Sequence, residues 1–342
     1  MRLRLLAALL ALTTLAACAT RGPQADTGSF QHEIASAARP WTHERFDAAD
    51  GKFTFALFSD LTGGERPGVF DVAVEQLRLL RPELIVNVGD LIEGGTTDRA
   101  ELNREWADFD RRAERARAPV FYLGGNHDLT NPVMWQVWDE RRGRRYYHFL
   151  YRDVLFLMLN TEDNPESVQW HIDEIRNQAI ERIDTEGWGV LPETAYGQNE
   201  ERRTGRIGAE QAAYFRDVIA RYPNVRHTFV LLHKPAWERP DEERFATIEA
   251  ALADRPYTVF YGHEHNYQHE IRHGRDYIGL GTTGGVQSAS KAMAVDHVTL
   301  VTVSSDGVDI ANLKLSGIFG KDGRVPAGGD ALCFEARRCA NE

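Results

Sequence analysis

Polar residues that can bind metal ions follow the ends of several short apolar runs along the chain. Five such groups occur, in the order Asp60, Asp90, Asn126-His127-Asp128, His233 and His263-Glu264-His265. The apolar runs are rich in Val, Ile, Leu, Phe and Tyr, a composition that is typical of buried β-strands. Carboxylates, an amide oxygen and imidazoles without a thiolate favour Zn, Mn or Fe over Cu(I) or an iron–sulfur cluster. The sequence therefore predicts a metal centre and leaves the choice among these three metals open.

The segments that must position these groups alternate between strand-like and helix-like patterns. The predicted strands span 53–59, 84–88, 120–123, 154–159, 228–232 and 257–261, and the predicted helices span 69–80, 98–117, 209–222 and 242–253. This alternation predicts an α/β core whose apolar strands are covered on both faces. Ligands of such sheets gather beyond the carboxyl ends of the strands. Two later runs, 297–303 and 308–315, predict a hairpin that closes a second sheet.

The order of the five groups resembles that of the calcineurin-like metallophosphoesterases, a superfamily that includes the purple acid phosphatases. The resemblance covers about residues 51–315 and rests on Gly89-Asp90, Gly125-Asn126-His127-Asp128, His233 and Gly262-His263-Glu264-His265. It implies an α/β fold that is a four-layered sandwich, with two mixed β-sheets flanked by helices. It also implies hydrolysis of a phosphate monoester or diester, with a metal-activated hydroxide as the nucleophile.

The resemblance further implies a set of ligands for two divalent or trivalent metal ions, which would be Mn, Fe or Zn. Asp90 would bridge the two ions. The remaining ligands would divide between them, with Asn126, His233 and His263 on one ion and Asp60 and His265 on the other.

The residues next to Asn126 have an implied catalytic role. His127 would be the general acid that protonates the leaving oxygen, and Asp128 would orient its ring and stabilise the imidazolium form. The alternative for His127 is a histidine that only packs beside the metal ligands.

One position departs from the family pattern. Thr62 stands where most members have a histidine ligand, so the Asp60/His265 site is expected to hold its metal weakly. Purple acid phosphatases place a tyrosine three residues after the bridging aspartate, and Glu93 occupies that position here. The candidates for contact with the substrate or metal are Thr62, Arg66 and Lys234, although exposed basic residues are usually solvated.

Three interpretations are open from the sequence alone. The first is an enzyme, because a scaffold would have no need for His127 and Asp128, which are not predicted ligands. The second, motivated by Thr62, is a non-catalytic or mononuclear metal-binding lipoprotein of the same fold. The third, structural histidines without a metal, requires all five groups to be coincidental.

The N-terminus has the order of a secretory signal: two arginines, an apolar run over 5–17 and then Cys18. Residues 15–18 resemble the lipobox of bacterial lipoproteins, in which the cysteine becomes the lipidated N-terminus. We therefore expect a signal peptide over 1–17 and an exported lipoprotein that faces the periplasm or lies on the outer membrane. Residues 18–50 contain few periodic apolar residues and predict a tether from the membrane through Cys18.

Two further segments interrupt or follow the predicted domain over 51–315. Residues 164–207 form a long polar insertion with a predicted helix over 168–183, and such excursions often shape an active site. Residues 316–342 form a C-terminal tail. In an exported protein Cys333 and Cys339 would pair as a disulfide, and two free thiols are the alternative.

The net charge constrains the binding partners. Without residues 1–17 the chain has 38 basic and 51 acidic residues, a net charge of −13. Nucleic-acid binding depends on clustered Lys and Arg, so we expect none. The expected substrate is a small-molecule or lipid phosphate ester, whose negative charge bound metals would offset.

Overall fold

Two β-sheets packed face to face form the centre of the fold. The structure is a computed structural model that describes residues 30–46, 51–241, 243–318 and 325–334. The strands are β1 (Phe30–His32), β2 (Phe53–Phe58), β3 (Leu84–Asn87), β4 (Val120–Phe121), β5 (Tyr147–Tyr151), β6 (Val154–Met158), β7 (His227–Leu231), β8 (Tyr257–Tyr261), β9 (Gln268–Arg272), β10 (Arg275–Gly279), β11 (His297–Ser304) and β12 (Gly307–Lys314). The helices are α1 (Val69–Leu80), α2 (Arg99–Ala113), α3 (Pro132–Arg142), α4 (Glu166–Glu186), α5 (Ala195–Gln198), α6 (Glu200–Arg203), α7 (Ala209–Arg221) and α8 (Glu243–Ala251). Within these ranges, no helix has both the length and the apolar character needed to cross a bilayer.

Both sheets contain parallel and antiparallel neighbours. Their strand orders are β12-β11-β2-β3-β4 and β1-β5-β6-β7-β8-β10-β9. In the first sheet β2, β3 and β4 are parallel, and β11 pairs antiparallel with β2 and β12. In the second sheet β6, β7, β8 and β10 are parallel. Parallel strands bring their carboxyl ends to a common edge, so residues that follow them can converge there.

Three apolar clusters separate four layers. Helices α1, α2 and α3 cover the outer face of the five-stranded sheet, and α7 and α8 cover that of the seven-stranded sheet. Aromatic side chains fill the space between the sheets. The ring of Phe55, for example, lies 5.2 Å from Phe156 and 4.8 Å from Phe229 between centroids. The predicted four-layered sandwich of two mixed sheets flanked by helices is confirmed, and the predicted hairpin is β11–β12.

Helix α3 begins immediately after the segment that carries Asn126, His127 and Asp128. Asn131 caps it by accepting a hydrogen bond from the amide of Met134, and Pro132 occupies its first position. Both residues are favoured at the start of a helix, because the side chain satisfies a free amide and proline has none to lose. The cap therefore fixes where the ligand-bearing loop ends.

The segment before β2 differs from the predicted tether. Residues Phe30 to His32 pair antiparallel with β5 at the edge of the seven-stranded sheet. Trp41 is 4% exposed and its ring lies 5.2 Å from that of Phe30 and 5.6 Å from that of Phe121. The prediction of a tether over 18–50 is thus wrong for 30–46, because a few scattered aromatic residues suffice to dock an edge strand. Residues 18–29 and 47–50 lie outside the described part.

The insertion consists of helices and packs on the body of the domain. Helix α4 includes the predicted helix over 168–183, and α5 and α6 follow it. In the C-terminal tail, Cys333 takes part in a disulfide. Its predicted partner Cys339 lies outside the described residues, as do the predicted signal peptide over 1–17 and Cys18, so these three remain predictions.

Candidate metal centre

The predicted ligands meet at the carboxyl ends of strands from both sheets. Asp60 and Asp90 follow β2 and β3, and His233 and His263 follow β7 and β8. The ligand atoms form two groups, and within each group all of them lie within 4.8 Å of one another. One group is Asp90, His233 and His263, and the other is Asp60, Asp90 and His265. Asp90 is common to both groups. A carboxylate with two oxygens in this position has the geometry of a bridge between two neighbouring metal sites.

Asn126 completes the first group. Its Oδ1 lies 3.1 Å from Nε2 of His233, and Oδ2 of Asp90 lies 3.2 Å from the same nitrogen. A carboxylate, an amide oxygen and two imidazoles therefore point to one place. This donor set suits Zn, Mn or Fe.

Backbone carbonyls orient the three ligand imidazoles. His233 donates from Nδ1 to Val88 O at 2.7 Å, and His265 donates from Nδ1 to Val286 O at 2.5 Å. His263 donates from Nε2 to Arg202 O at 2.8 Å. A carbonyl can only accept, so the bonded nitrogen of each ring carries a proton, and the other nitrogen is the atom a metal would bind.

Four of the predicted ligands have left-handed backbone conformations. Their φ angles are 47° for Asp60, 59° for Asp90, 73° for His263 and 55° for His265. Such angles are uncommon for residues other than glycine and cost about 1–3 kcal/mol each when the rest of the structure imposes them. The sharp turns direct successive side chains into one small volume.

Glycines next to the ligands allow this close approach. A Cβ atom at Gly89 would lie 2.7 Å from His233 Nδ1, and one at Gly125 would lie 2.3 Å from Asp90 Oδ1. A Cβ atom at Gly262 would lie 2.6 Å from Asp60 Oδ2. Any larger residue at these positions would push a ligand out of place.

The buried charges of the first group depend on one another. Burial by itself raises the pKa of the Asp90 carboxyl, but the positive charges of His233 and His127 outweigh burial and lower it. Burial likewise lowers the pKa of His233, and the Asp90 carboxylate more than reverses this and raises it to about 9. Burial lowers the pKa of His263, so that ring is neutral. A metal cation would replace the proton of His233 as the partner of Asp90.

Thr62 is buried, and its hydroxyl is engaged outside the ligand set. It donates to the carbonyl of Ile92 at 2.8 Å. The second group therefore has three strong side-chain ligands, Asp60, Asp90 and His265, where the family pattern supplies a further imidazole. The weak metal binding expected of this half stays a prediction.

His127 lies beside the metal centre, but Asp128 does not orient it. The ring Nδ1 of His127 donates to the carbonyl of Glu93 at 2.8 Å, and the Glu93 carboxylate lies 4.0 Å from the same nitrogen. Its Nε2 faces Gly63, where a Cβ atom would be 3.3 Å away. Glu93 therefore orients His127, a role that the sequence did not indicate.

The role of Asp128 therefore needs correction. Its two carboxylate oxygens accept hydrogen bonds from the amides of Asp90, Leu91, Ile92 and Gly125 at 2.8–3.2 Å. Burial and the nearby Asp90 charge raise the pKa of Asp128 to about 7. Asp128 binds the backbone amides that follow β3 and does not bind His127. No feature of the sequence indicates these amides as its partners. Asp128 holds the two ligand-bearing loops together.

Arg66 and Lys234 form ion pairs within the fold. Arg66 contacts the buried Asp296 carboxylate at 2.6 Å. Lys234 is 2% exposed, with its ammonium 2.8 Å from Glu162 and 2.6 Å from the carbonyl of Glu201. The prediction that either residue contacts substrate is not supported. It rested on their proximity in sequence to the motifs, which does not reveal that each pairs with an acid from a distant part of the chain. Glu162 was missed, although a lysine next to His233 was a signal that a buried acid was needed.

Comparison with known proteins agrees with this geometry. Residues 53–267, more than half of the chain, match the model of a family described as calcineurin-like phosphoesterase. The search of curated proteins found no match.

The solved structures that resemble the chain include the following three. A dimetal phosphatase from Danio rerio has a TM-score of 0.51 at 16% identity, covering 78% of this chain and 97% of that one. Purple acid phosphatase PPD1 from yellow lupin (Lupinus luteus) seeds has a TM-score of 0.51 at 14% identity, covering 81% and 53%. The structure of PhoD has a TM-score of 0.50 at 12% identity, covering 80% and 72%. At these identities the likenesses show the fold alone.

Proposed function

Because the chain belongs to the calcineurin-like phosphoesterase family, we propose that it hydrolyses a phosphate monoester or diester at a two-metal centre. The observation that carries the proposal is that Asp90 belongs to two compact groups of ligand atoms. When bound, two such cations neutralise phosphoryl oxygens and make a water molecule nucleophilic at neutral pH. Without bound cations, the strongly acidic surface of the chain would repel a doubly negative ester.

The residues fit two metal ions of unequal coordination. Asp90 would be shared. Asn126, His233 and His263 would hold one ion, and Asp60 and His265 would hold the other. The metal-binding nitrogens of the imidazoles already point into the centre, so binding requires loss of the His233 proton and no reorientation of the rings.

His127 is the residue that can move a proton to the leaving oxygen. Its Nδ1 is held by the Glu93 carbonyl, so the exchangeable proton is the one on Nε2, which faces Gly63 and the His265 ring beyond it. The Glu93 carboxylate lies 4.0 Å from the same Nδ1 atom. General acid catalysis by a histidine contributes about 10²–10⁴ in rate.

The test is a metal-dependent activity measurement on the full chain. The protein is stripped with chelator, reloaded separately with Mn, Zn or Fe, and assayed on a panel of phosphate monoesters and diesters, with metal per chain measured by mass spectrometry. We expect two ions per chain at saturation and hydrolysis of at least one ester class, lost on stripping and restored on reloading. One ion per chain in an active protein would favour a mononuclear enzyme. Loaded protein that is inert on the whole panel would contradict the proposal.

We also propose that the protein acts in the cell envelope, anchored by a lipid on Cys18, on small-molecule or lipid phosphate esters. The support is the order of charged, apolar and small residues that ends at this cysteine. Labelling with a radioactive fatty acid should mark the wild-type chain and leave Cys18→Ser unlabelled. Equal labelling, or a chain that stays in the cytosol, would contradict this location.

A further inference from the structure

The insertion places helix α4 against the loops that carry the metal centre. Gln169 donates to the carbonyls of Leu129 and Thr130 at 3.0 and 2.8 Å, just beyond the Asn126-His127-Asp128 segment. Asp173, one turn later, accepts a hydrogen bond from Asn131 at 3.0 Å. The next turn of α4 is therefore held at the rim of the centre.

That turn brings the guanidinium of Arg176 onto the backbone of Gly95. A Cβ atom at Gly95 would lie 2.2 Å from Nη1 and 2.7 Å from both Cζ and Nη2, so the flat group lies on the glycine itself. Gly95 is two residues after Glu93, whose carbonyl holds the ring of His127. Only one residue separates Gly95 from Glu93, so the guanidinium lies near the loop that holds the His127 ring.

Arg176 has no partner of its own. Although its side chain is half-buried, it makes no hydrogen bond or ion pair with the residues that the structure describes. The neighbouring acids have other partners: Asp173 accepts from Asn131, and Glu105 accepts from the amide of Gly94 at 3.0 Å. By contrast, Arg182 on the same helix pairs with Glu186 at 2.8 Å. An arginine that packs on the backbone without an acid partner is available to bind an anion.

The position of Arg176 identifies which part of a substrate it would meet. In the proposed reaction His127 faces the leaving oxygen, and the Glu93 side chain beside it is 44% exposed, so this flank is open to solvent. A group attached to the leaving oxygen would extend from His127 along this flank. The side chain of arginine is long and flexible enough to cover the remaining distance.

We propose that Arg176 forms an anion-binding subsite for a carboxylate or phosphate carried by the leaving group of the substrate. The proposal rests on the proposed function and deepens it: the preferred substrate has a second negative charge, on the side of the ester that leaves. The planar guanidinium would bind that oxyanion with two parallel hydrogen bonds.

The test uses two phosphonates that cannot be hydrolysed and differ only in that second charge, 3-phosphonopropionate and propylphosphonate. Their dissociation constants are measured by calorimetry on the metal-loaded full chain. We expect wild type to bind 3-phosphonopropionate at least about tenfold more tightly, as a charge-assisted hydrogen bond allows. Arg176→Met should abolish this preference and change propylphosphonate binding less than about twofold. Arg182→Met, on the same helix, should behave as wild type.

Two results would overturn the subsite: equal affinity of wild type for both phosphonates, or an equal loss for both in Arg176→Met. If Arg176→Met does not fold, Arg176→Lys, which keeps the charge but not the fork, should reduce the preference about threefold or more. Since the assay measures binding, absence of turnover would count against the proposed function without deciding the subsite.

Discussion

The two halves of the metal centre share Asp90 and differ in how they are enclosed. On the Asn126, His233, His263 half, His233 is fully buried and the ring of His263 is held by Arg202 of the insertion. On the Asp60, His265 half, the His265 side chain is 16% exposed and its ring is held by Val286, which is 51% exposed. The first half has more ligands and less access to solvent. We therefore expect the first half to bind its metal ion more tightly than the second.

The difference indicates a division of labour in hydrolysis. We call the Asn126, His233, His263 half the enclosed half and the Asp60, His265 half the open half. The open half lies next to Gly63, which the Nε2 atom of His127 faces. An ester would therefore enter at the open half, and His127 would protonate its leaving oxygen there. The enclosed half would hold its ion more tightly than the open half. Each prediction below tests one part of this contrast, from the largest expected effect to the smallest.

Removal of the shared ligand Asp90 should abolish metal binding at both halves. Asp90→Ala should lose both ions and reduce turnover at least about ten-thousandfold, because several kcal/mol of charge stabilisation disappear. His233→Ala and His265→Ala should each retain one ion, with the ion lost from His265→Ala being the one that wild type releases first to chelator. Metal per chain and initial rates measure this. Retention of two ions in Asp90→Ala would show that the halves are separate sites.

The chemistry should be separable from the metals of either half. His127→Ala should reduce turnover about a thousandfold at saturating metal, as expected for loss of a general acid, while metal per chain stays at the wild-type value. His171→Ala, in which an exposed histidine of α4 is removed, should retain full activity. Full activity in His127→Ala would remove this residue from the mechanism.

The enclosed half should depend on its buried ion pair for stability. Lys234→Met leaves Glu162 buried without a cation and should lower the free energy of unfolding by about 3 kcal/mol. Urea unfolding measures the loss, and Arg182→Met, which breaks an exposed pair, should leave the free energy of unfolding nearly unchanged. A higher KM with unchanged stability would instead restore Lys234 as a substrate contact.

The fold and the convergence of ligands were predictable because both leave local patterns. Apolar runs that alternate with helices predicted the two-sheet sandwich, and a polar residue after each run predicted where Asp60, Asp90 and His233 would meet. The order of motifs supplied Asn126, His263 and His265. These features depend on residues close together in sequence, which periodicity and motif order can detect.

The partners of the polar side chains were not predictable, because they come from distant parts of the chain. Lys234 meets Glu162, which is 72 residues away, and Arg66 meets Asp296, which is 230 residues away. Asp128 binds backbone amides that exist in every sequence, and the orienting group of His127 is a carbonyl of Glu93. Neither kind of contact has a residue signature. The docking of 30–46 was missed for a related reason, since an edge strand of three residues has no periodicity to detect.

The difference in metal affinity between the two halves should decrease when the open half gains a ligand. Thr62→His places an imidazole at the position where the hydroxyl now donates to Ile92, and should tighten metal binding at the Asp60/His265 half about tenfold, with the first half unchanged. Loss of the Thr62 hydrogen bond costs about 1 kcal/mol in stability, so Thr62→Val is the matched control, because it has the same loss without a new ligand. Titration of the stripped proteins with Mn or Zn measures both affinities. Equal weak-site affinities in Thr62→His and Thr62→Val would show that position 62 does not reach the metal, and the weakness of this half would then follow from its exposure alone.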